Sequence, residues 1–130
     1  MASPEQEIFS AFRKLGMGIS GWKAYDHLPG KNTVYPFLFI GEEYGGMVAV
    51  KAGRMGHVNQ TVHFYSDNPH KRGDMSAAME DFVREAMELT QTRSFYIDCS
   101  DYRMQMVWDA STGTSLMHGI LEFTVNYSRR

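Results

Sequence analysis

The sequence predicts an α+β fold: an antiparallel β-sheet of about four to five strands with two α-helices packed on one face. Two observations carry this. Apolar residues recur at helical spacing in two segments, Ile8 to Leu15 and Met75 to Thr90. Three other segments, 57–66, 102–108 and 117–127, alternate with a period of two instead. The order is then helix, two or three strands, helix, two strands, which one antiparallel sheet covered on a single face satisfies with least strain. With 130 residues, no internal repeat and no linker, the chain is expected to be a single domain, 1–130.

The first helix is announced by Ser3 as its cap, Pro4 in its first turn and Gln6 three residues on, the spacing of a capping box. Ile8, Phe9, Phe12 and Leu15 form its apolar face, and Gly16 and Gly18 are expected to stop it. Trp22 to Tyr25 reads as a short strand and Pro29-Gly30 as a turn. Val34-Tyr35-Pro36 leads extended into Phe37-Leu38-Phe39-Ile40, a compact run of β-formers that reads as a buried strand. Residues 44–56 read as a glycine-rich hairpin arm, with Met47 to Val50 lacking a polar face and suited to ordering against a partner. No Gly-Lys-Ser/Thr follows these glycines, so they are no phosphate-cradling loop.

His57 to Ser66 is the next strand, ended by Asp67-Asn68-Pro69 and followed by a basic loop, His70 to Gly73. In the second helix Met75, Met79, Phe82, Val83, Ala86 and Thr90 make one stripe. Asp74 or Ser76 is expected to cap it, and Glu80 to pair with Arg84. Tyr102 to Trp108 is a strand, Ala110 to Gly113 a turn, and in the last strand Met117, Leu121, Phe123, Val125 and Tyr127 share one face.

Composition narrows the function classes. Thirteen basic against fifteen acidic residues, net −2, do not make a nucleic-acid coat. The lone Cys99 cannot form an internal disulfide. No run reaches the roughly 18 apolar residues of a membrane span, and the N-terminus does not read as a signal peptide, so an intracellular protein is expected. Of ten methionines, Met75, Met79, Met87, Met104, Met106 and Met117 are assigned to the core, and Met47 and Met55 to a contact surface.

No constellation of residues in the sequence makes a chemical site. The five histidines show no metal-ligand spacing, although His63 and His118 lie in strands that could neighbour one another. Glu42 and Glu43 point to opposite faces of a strand and so are no acid/base pair. Asp98 and Asp101 around Cys99 would raise its thiol pKa, which disfavours a nucleophile. Arg72-Gly73-Asp74 is a coincidental tripeptide, and no Gly-x-Ser-x-Gly elbow occurs. The aromatic residues are spaced as a core and not among Lys and Arg clusters, which disfavours a platform for single-stranded nucleic acid. Catalytic, cofactor-binding and metal residues are all expected to be absent.

The assembled order resembles a known family. Val34 to Glu42 (VYPFLFIGE) is similar to the "Y-P-[YF]-hydrophobic…G-E" strand of the tail-completion, or tail-terminator (tail-to-head joining), proteins of long-tailed bacteriophages. The 57–66 strand with Gln60, Val62 and Phe64 resembles that family's central strand leading into a helix. Met117 to Val125 (MHGILEFTV) resembles its closing strand. The chain departs from the pattern in the glycine content of Lys14 to Lys31, which leaves the pairing of the first strand open.

The resemblance implies a structural virion protein, not an enzyme. It would form a ring with itself, typically a hexamer, that caps the tail tube and docks beneath the head connector in the tail-neck region. Its partners would be the major tail-tube protein and the head-connector or neck protein, with DNA only a transient passenger through the lumen and no membrane or cofactor involved. Ring closure needs two different surfaces of one subunit to meet. The residues expected to make such contacts are Tyr44, Met47, Val48, Val50 and Met55 of the arm, with Lys71 and Arg72. Two rival readings are a neck protein one layer higher and a small ligand-binding or enzyme domain. The latter predicts a pocket lined by Trp22, Tyr102 and Trp108 over His63 or His118.

Overall fold

The computed structural model describes residues 3–50, 53–110 and 115–130, with the side chains of 46–50, 53–54 and 100 left outside that description. The elements run α1 (Pro4–Met17), β1 (Lys23–Tyr25), β2 (Phe37–Val50), β3 (Gly53–Ser66), a 3-10 turn (Pro69–Lys71), α2 (Arg72–Met87), β4 (Phe95–Asp109) and β5 (Leu116–Arg129). The fold is α+β, a five-stranded sheet in the order β1-β2-β3-β5-β4. The four long strands are antiparallel, but β1 runs parallel to β2, so the sheet is mixed rather than antiparallel throughout. The connection between them, residues 26–36, is long enough to return the chain for a parallel pairing that a tight hairpin could not make.

Helix α1 begins as its sequence dictates: Ser3 Oγ accepts the Gln6 N–H at 3.1 Å and Pro4 fills the first turn. The capping box is not closed, because the Gln6 amide donates forward to Ser10 Oγ instead. Gly16 does not end the helix. It lies inside it against the sheet, where a Cβ would come within 2.8 Å of Leu38 Cδ1. Its missing side chain therefore sets how closely α1 approaches β2. The turn that follows requires Gly21, whose φ of 81° lies in the left-handed region.

Helix α2 starts earlier than Asp74 or Ser76 would allow. The 3-10 turn, itself capped by Asn68 Oδ1 on the His70 N–H at 2.9 Å, feeds straight into Arg72, and no side chain caps α2. Residues 70–73, expected as a basic loop, are therefore helical. Arg84 bonds Asp81 at 3.0 Å rather than Glu80, the i,i+3 neighbour being better aligned.

Both helices cover one face of the sheet. There Ile8 and Phe12 of α1 and Met75, Met79, Phe82, Val83 and Ala86 of α2 meet Leu38, Ile40, Val58, Val62, Phe64, Leu121, Phe123 and Val125. Phe12 lies 5.2 Å from Phe123 and 5.8 Å from Phe82, ring centroid to ring centroid, at the centre of this layer. Gly119 admits α2: a Cβ there would overlap the Met79 sulfur. Met75, Met79 and Met117 are buried and Met104 and Met106 pack against the core, but Met87, at the end of α2, is 44% exposed and belongs to the surface.

Strands β2, β3 and β4 run well beyond the segments the sequence suggested. β2 continues through the glycines to Val50, paired residue for residue with β3, so the arm is the far half of a single hairpin. β4 begins at Phe95 and passes through a bulge between Asp98 and Asp101. The expected turn at Ala110 to Gly113 falls, beyond Ala110, on residues outside the described ones.

Candidate functional site

The arm residues expected at an interface occupy one end of the sheet. Tyr44 is 54% exposed and donates its hydroxyl to Glu122 on β5, a bond that holds its proton on and raises its pKa. Met55 is 48% exposed, opposite Val48 on one side and Ser128 on the other. Met47, Val48 and Val50 are in register with Gly56, Met55 and Gly53, their side chains lying outside the described ones. Gly45 keeps the two strands close, since a Cβ would collide with the backbone carbonyl of His57.

Lys71 and Arg72 are not part of this surface. They follow the opposite end of β3, whose 14 residues span roughly 45 Å. Lys71 is engaged with Asp74 of its own helix at 3.4 Å.

The root of the arm is built around a bulge between Ile40 and Glu43. Gln60, fully buried on β3, donates its amide to Gly41 O and Thr61 O, both at 3.0 Å, and so staples the bulge. The bulge turns Glu43 to the helix-covered face, beside Gln60. Burial, with the nearby Glu5 carboxylate, pushes its pKa up to about 7.

The bulge turns Glu42 the other way, to the uncovered face, where an aromatic and histidine cluster spans three strands. His63 Nδ1 and His118 Nε2 share a hydrogen bond of 2.8 Å, and His63 Nε2 lies 3.2 Å from Glu42 Oε2. Tyr65 stacks on His118 at 4.2 Å, Phe39 on His63 at 4.7 Å and Phe37 on Tyr65 at 5.4 Å. Burial first, then the His63 ring, lowers the His118 pKa to about 4, against the opposing pull of Asp109 and Glu42. At Glu42 burial raises the pKa, but its backbone N–H and the two histidines outweigh it and hold the carboxyl below its usual range. Gly41 makes room for this cluster, because a Cβ there would come within 2.7 Å of the His63 ring.

The sequence brought His63 and His118 into view but not their aromatic neighbours. The signal was present, since Phe37, Phe39, His63 and Tyr65 are alternate residues of their strands; the register that aligns them was not. The cluster does not make a metal centre. Both nitrogens of His63 are engaged, and among the described residues no set of three or more His, Cys, Asp or Glu side chains converges. Nor is it a platform for bases, because the rings stack on one another and spend their faces doing so.

The pocket of the rival reading is not assembled. Trp22 packs on Phe64 at 5.4 Å beneath the helices, whereas the histidines lie on the other face, and Trp108 is 57% exposed on the far strand. A cleft of ≈ 520 Å³ beside Trp22 is walled by Ser20, Tyr35, Asp67, Lys71 and Asp74, without Tyr102, Trp108 or either histidine. Cys99 is buried on β4, and burial together with Asp98 pushes its thiol up to about 12, which leaves it protonated and inert. Among the described residues no helix is long and apolar enough to cross a membrane.

One comparison finds a relative of this fold. The chain superposes over 100% of its length on 100% of a chain from the virion of a native gene transfer agent particle, with a TM-score of 0.74 and 12% identity. At that identity the likeness is one of fold. No family model matches the sequence, and no curated protein matches it.

Proposed function

We propose that this chain is a structural virion protein, without enzymatic activity, that caps the phage tail tube as a ring and joins the tail to the head connector. DNA passes through the lumen without being read. The observation that carries this reading is the end-to-end likeness in fold to a chain of a gene transfer agent virion. The motifs of β2, β3 and β5 resemble the tail-completion family and supply the finer role. The long β2–β3 hairpin, with Tyr44 and Met55 exposed along it, suits an element that touches a neighbouring subunit or the tube. A net charge of −2 suits a conduit that should release DNA rather than hold it.

In this reading the subunit forms a ring of copies, typically six, with the tail-tube protein on one side and the connector on the other. Its place is the neck of the virion, after assembly in the host cytoplasm. Replacing Met47 and Val48 with Asp tests the arm. Loss of ring formation and tail attachment, with the melting temperature of the monomer retained, is expected. A variant that still assembles and attaches would remove the arm from the interface, and a variant that unfolds would assign these residues to the core.

A further inference from the structure

We infer that copies of this chain join by backbone pairing of the outer edge of β2 in one subunit with the outer edge of β4 in the next, a proposal that rests on the ring reading above. β1 pairs only with Phe37 to Phe39, so among the described residues Glu43 to Val50 has β3 on one side and no strand on the other. At the opposite side of the sheet, β4 is covered only at its start. There Gln91 bridges Tyr96, Thr92 N–H donates to Phe95 O at 2.7 Å and Ile97 N–H to Thr90 O at 3.0 Å. Beyond the bulge, Asp101 to Trp108 has no strand outside it among the described residues. Each open stretch is eight residues long.

An open, uncharged strand edge invites another strand, and proteins that keep such an edge solitary place charge or proline on it. Tyr44 to Val50 contains neither, and on β4 the charges Asp101 and Arg103 stand only at the start of the open stretch, leaving Met104 to Trp108 with neither. Two of the large apolar side chains left exposed, Tyr44 (54%) and Trp108 (57%), lie on these two edge strands. Chain direction fits as well. β2 and β4 run oppositely within the sheet, so two copies in the same orientation meet as antiparallel strands, the more stable pairing. The contact is heterologous, and repetition about a rotation axis closes a ring.

The outward backbone groups can be identified. Arg130 N–H bonds Ser94 O, which fixes the alternation along β4 and β5. Following the registers across the sheet turns the N–H groups of Met104 and Met106 outward on β4, and those of Gly45 and Met47 outward on β2. Proline at such a position removes a donor to the neighbour and none to the strand's own partner.

The test compares full-length Met47→Pro and Met106→Pro by native mass spectrometry and electron microscopy, with the unmodified chain alongside and tail tubes present where closure needs them. Each variant alone is expected to remain monomeric, and a 1:1 mixture to stop at dimers, since one partner retains an open β2 and the other an open β4. Rings formed by both variants would overturn the edge pairing while leaving the ring reading standing. Dimers of Met106→Pro alone would replace it with β2-to-β2 pairing, and dimers of Met47→Pro alone with β4-to-β4 pairing. An unmodified chain that neither closes nor attaches to tubes would overturn the ring itself, whereas open filaments abolished by the variants would keep the pairing and remove closure. Should a proline variant fail to fold, Met47→Lys and Gln105→Lys, the latter at an exposed β4 position that alternates with the core-packed Met104 and Met106, give the same readout through edge charge.

Discussion

The two faces of the sheet solve burial differently. The helix-covered face excludes water with two helices, and its Leu38, Val62, Phe64, Leu121 and Phe123 are fully buried. The other face has no helix over it, yet Phe37 is only 5% exposed and the His63 side chain 12%, because cross-strand rings cover one another. The first arrangement contributes most of the fold's stability. The second backs the same stretch of β2 and β3 that carries Leu38, Val62 and Phe64, and hands the bulge at Gly41 a rigid support. The faces also hold titratable groups of opposite sign, Glu43 inside and His118 outside.

The comparison breaks first if Phe123→Ala on the covered face proves mild. It should cost about 3–5 kcal/mol, read as a lowered urea midpoint, because Phe12, Phe82 and Tyr102 all lose their neighbour. The pH dependence comes next. Glu43 has a folded pKa of about 7 against 4.5, so its stabilising contribution is complete below pH 4.5 and is lost as pH rises toward 7. His118 has a folded pKa of about 4 against 6.5, so its contribution is complete above pH 6.5 and is lost as pH falls toward 4.

Between pH 4.5 and 6.5 the two slopes oppose each other. Glu43→Gln should unmask the histidine's slope and raise stability at pH 8 by on the order of 1 kcal/mol, solvent reducing what burial alone would give. His118→Gln should unmask the opposite slope. Urea titrations of both variants from pH 4 to 8 check this, and identical profiles would contradict the assignment.

On the open face, Phe39→Ala should cost about 1 kcal/mol, the scale of an aromatic pair rather than of a core residue. A loss equal to that of Phe123 would erase the distinction between the faces. Smallest of all, Arg84→Ala should change stability by about 0.5 kcal/mol or less, because its pair with Asp81 is solvent-exposed on both sides.

The legibility of the sequence follows the same division. The stripe Met75, Met79, Phe82, Val83 and Ala86, and the alternation from Met117 to Tyr127, were readable because a covered face imposes a hydrophobic period. The continuity of β2 through Gly45-Gly46 was not, since glycines are poor strand formers and their order comes from β3 across the hairpin. The start of β4 was hidden because Asp98 to Asp101 reads as polar loop where the chain makes a bulge. β1 was readable as a short strand, but its parallel pairing was beyond reach of local pattern, as its three residues gain their partner only after an intervening loop. Of the candidate interface, the arm was visible in composition, whereas the two open edges exist only once strand order is known.

The most direct test of the proposed role is electron microscopy of the purified chain mixed with tail tubes assembled in its absence. A single ring seated at one end of each tube is the expected result. Bare tube ends, or the chain distributed along the tube wall, would contradict it.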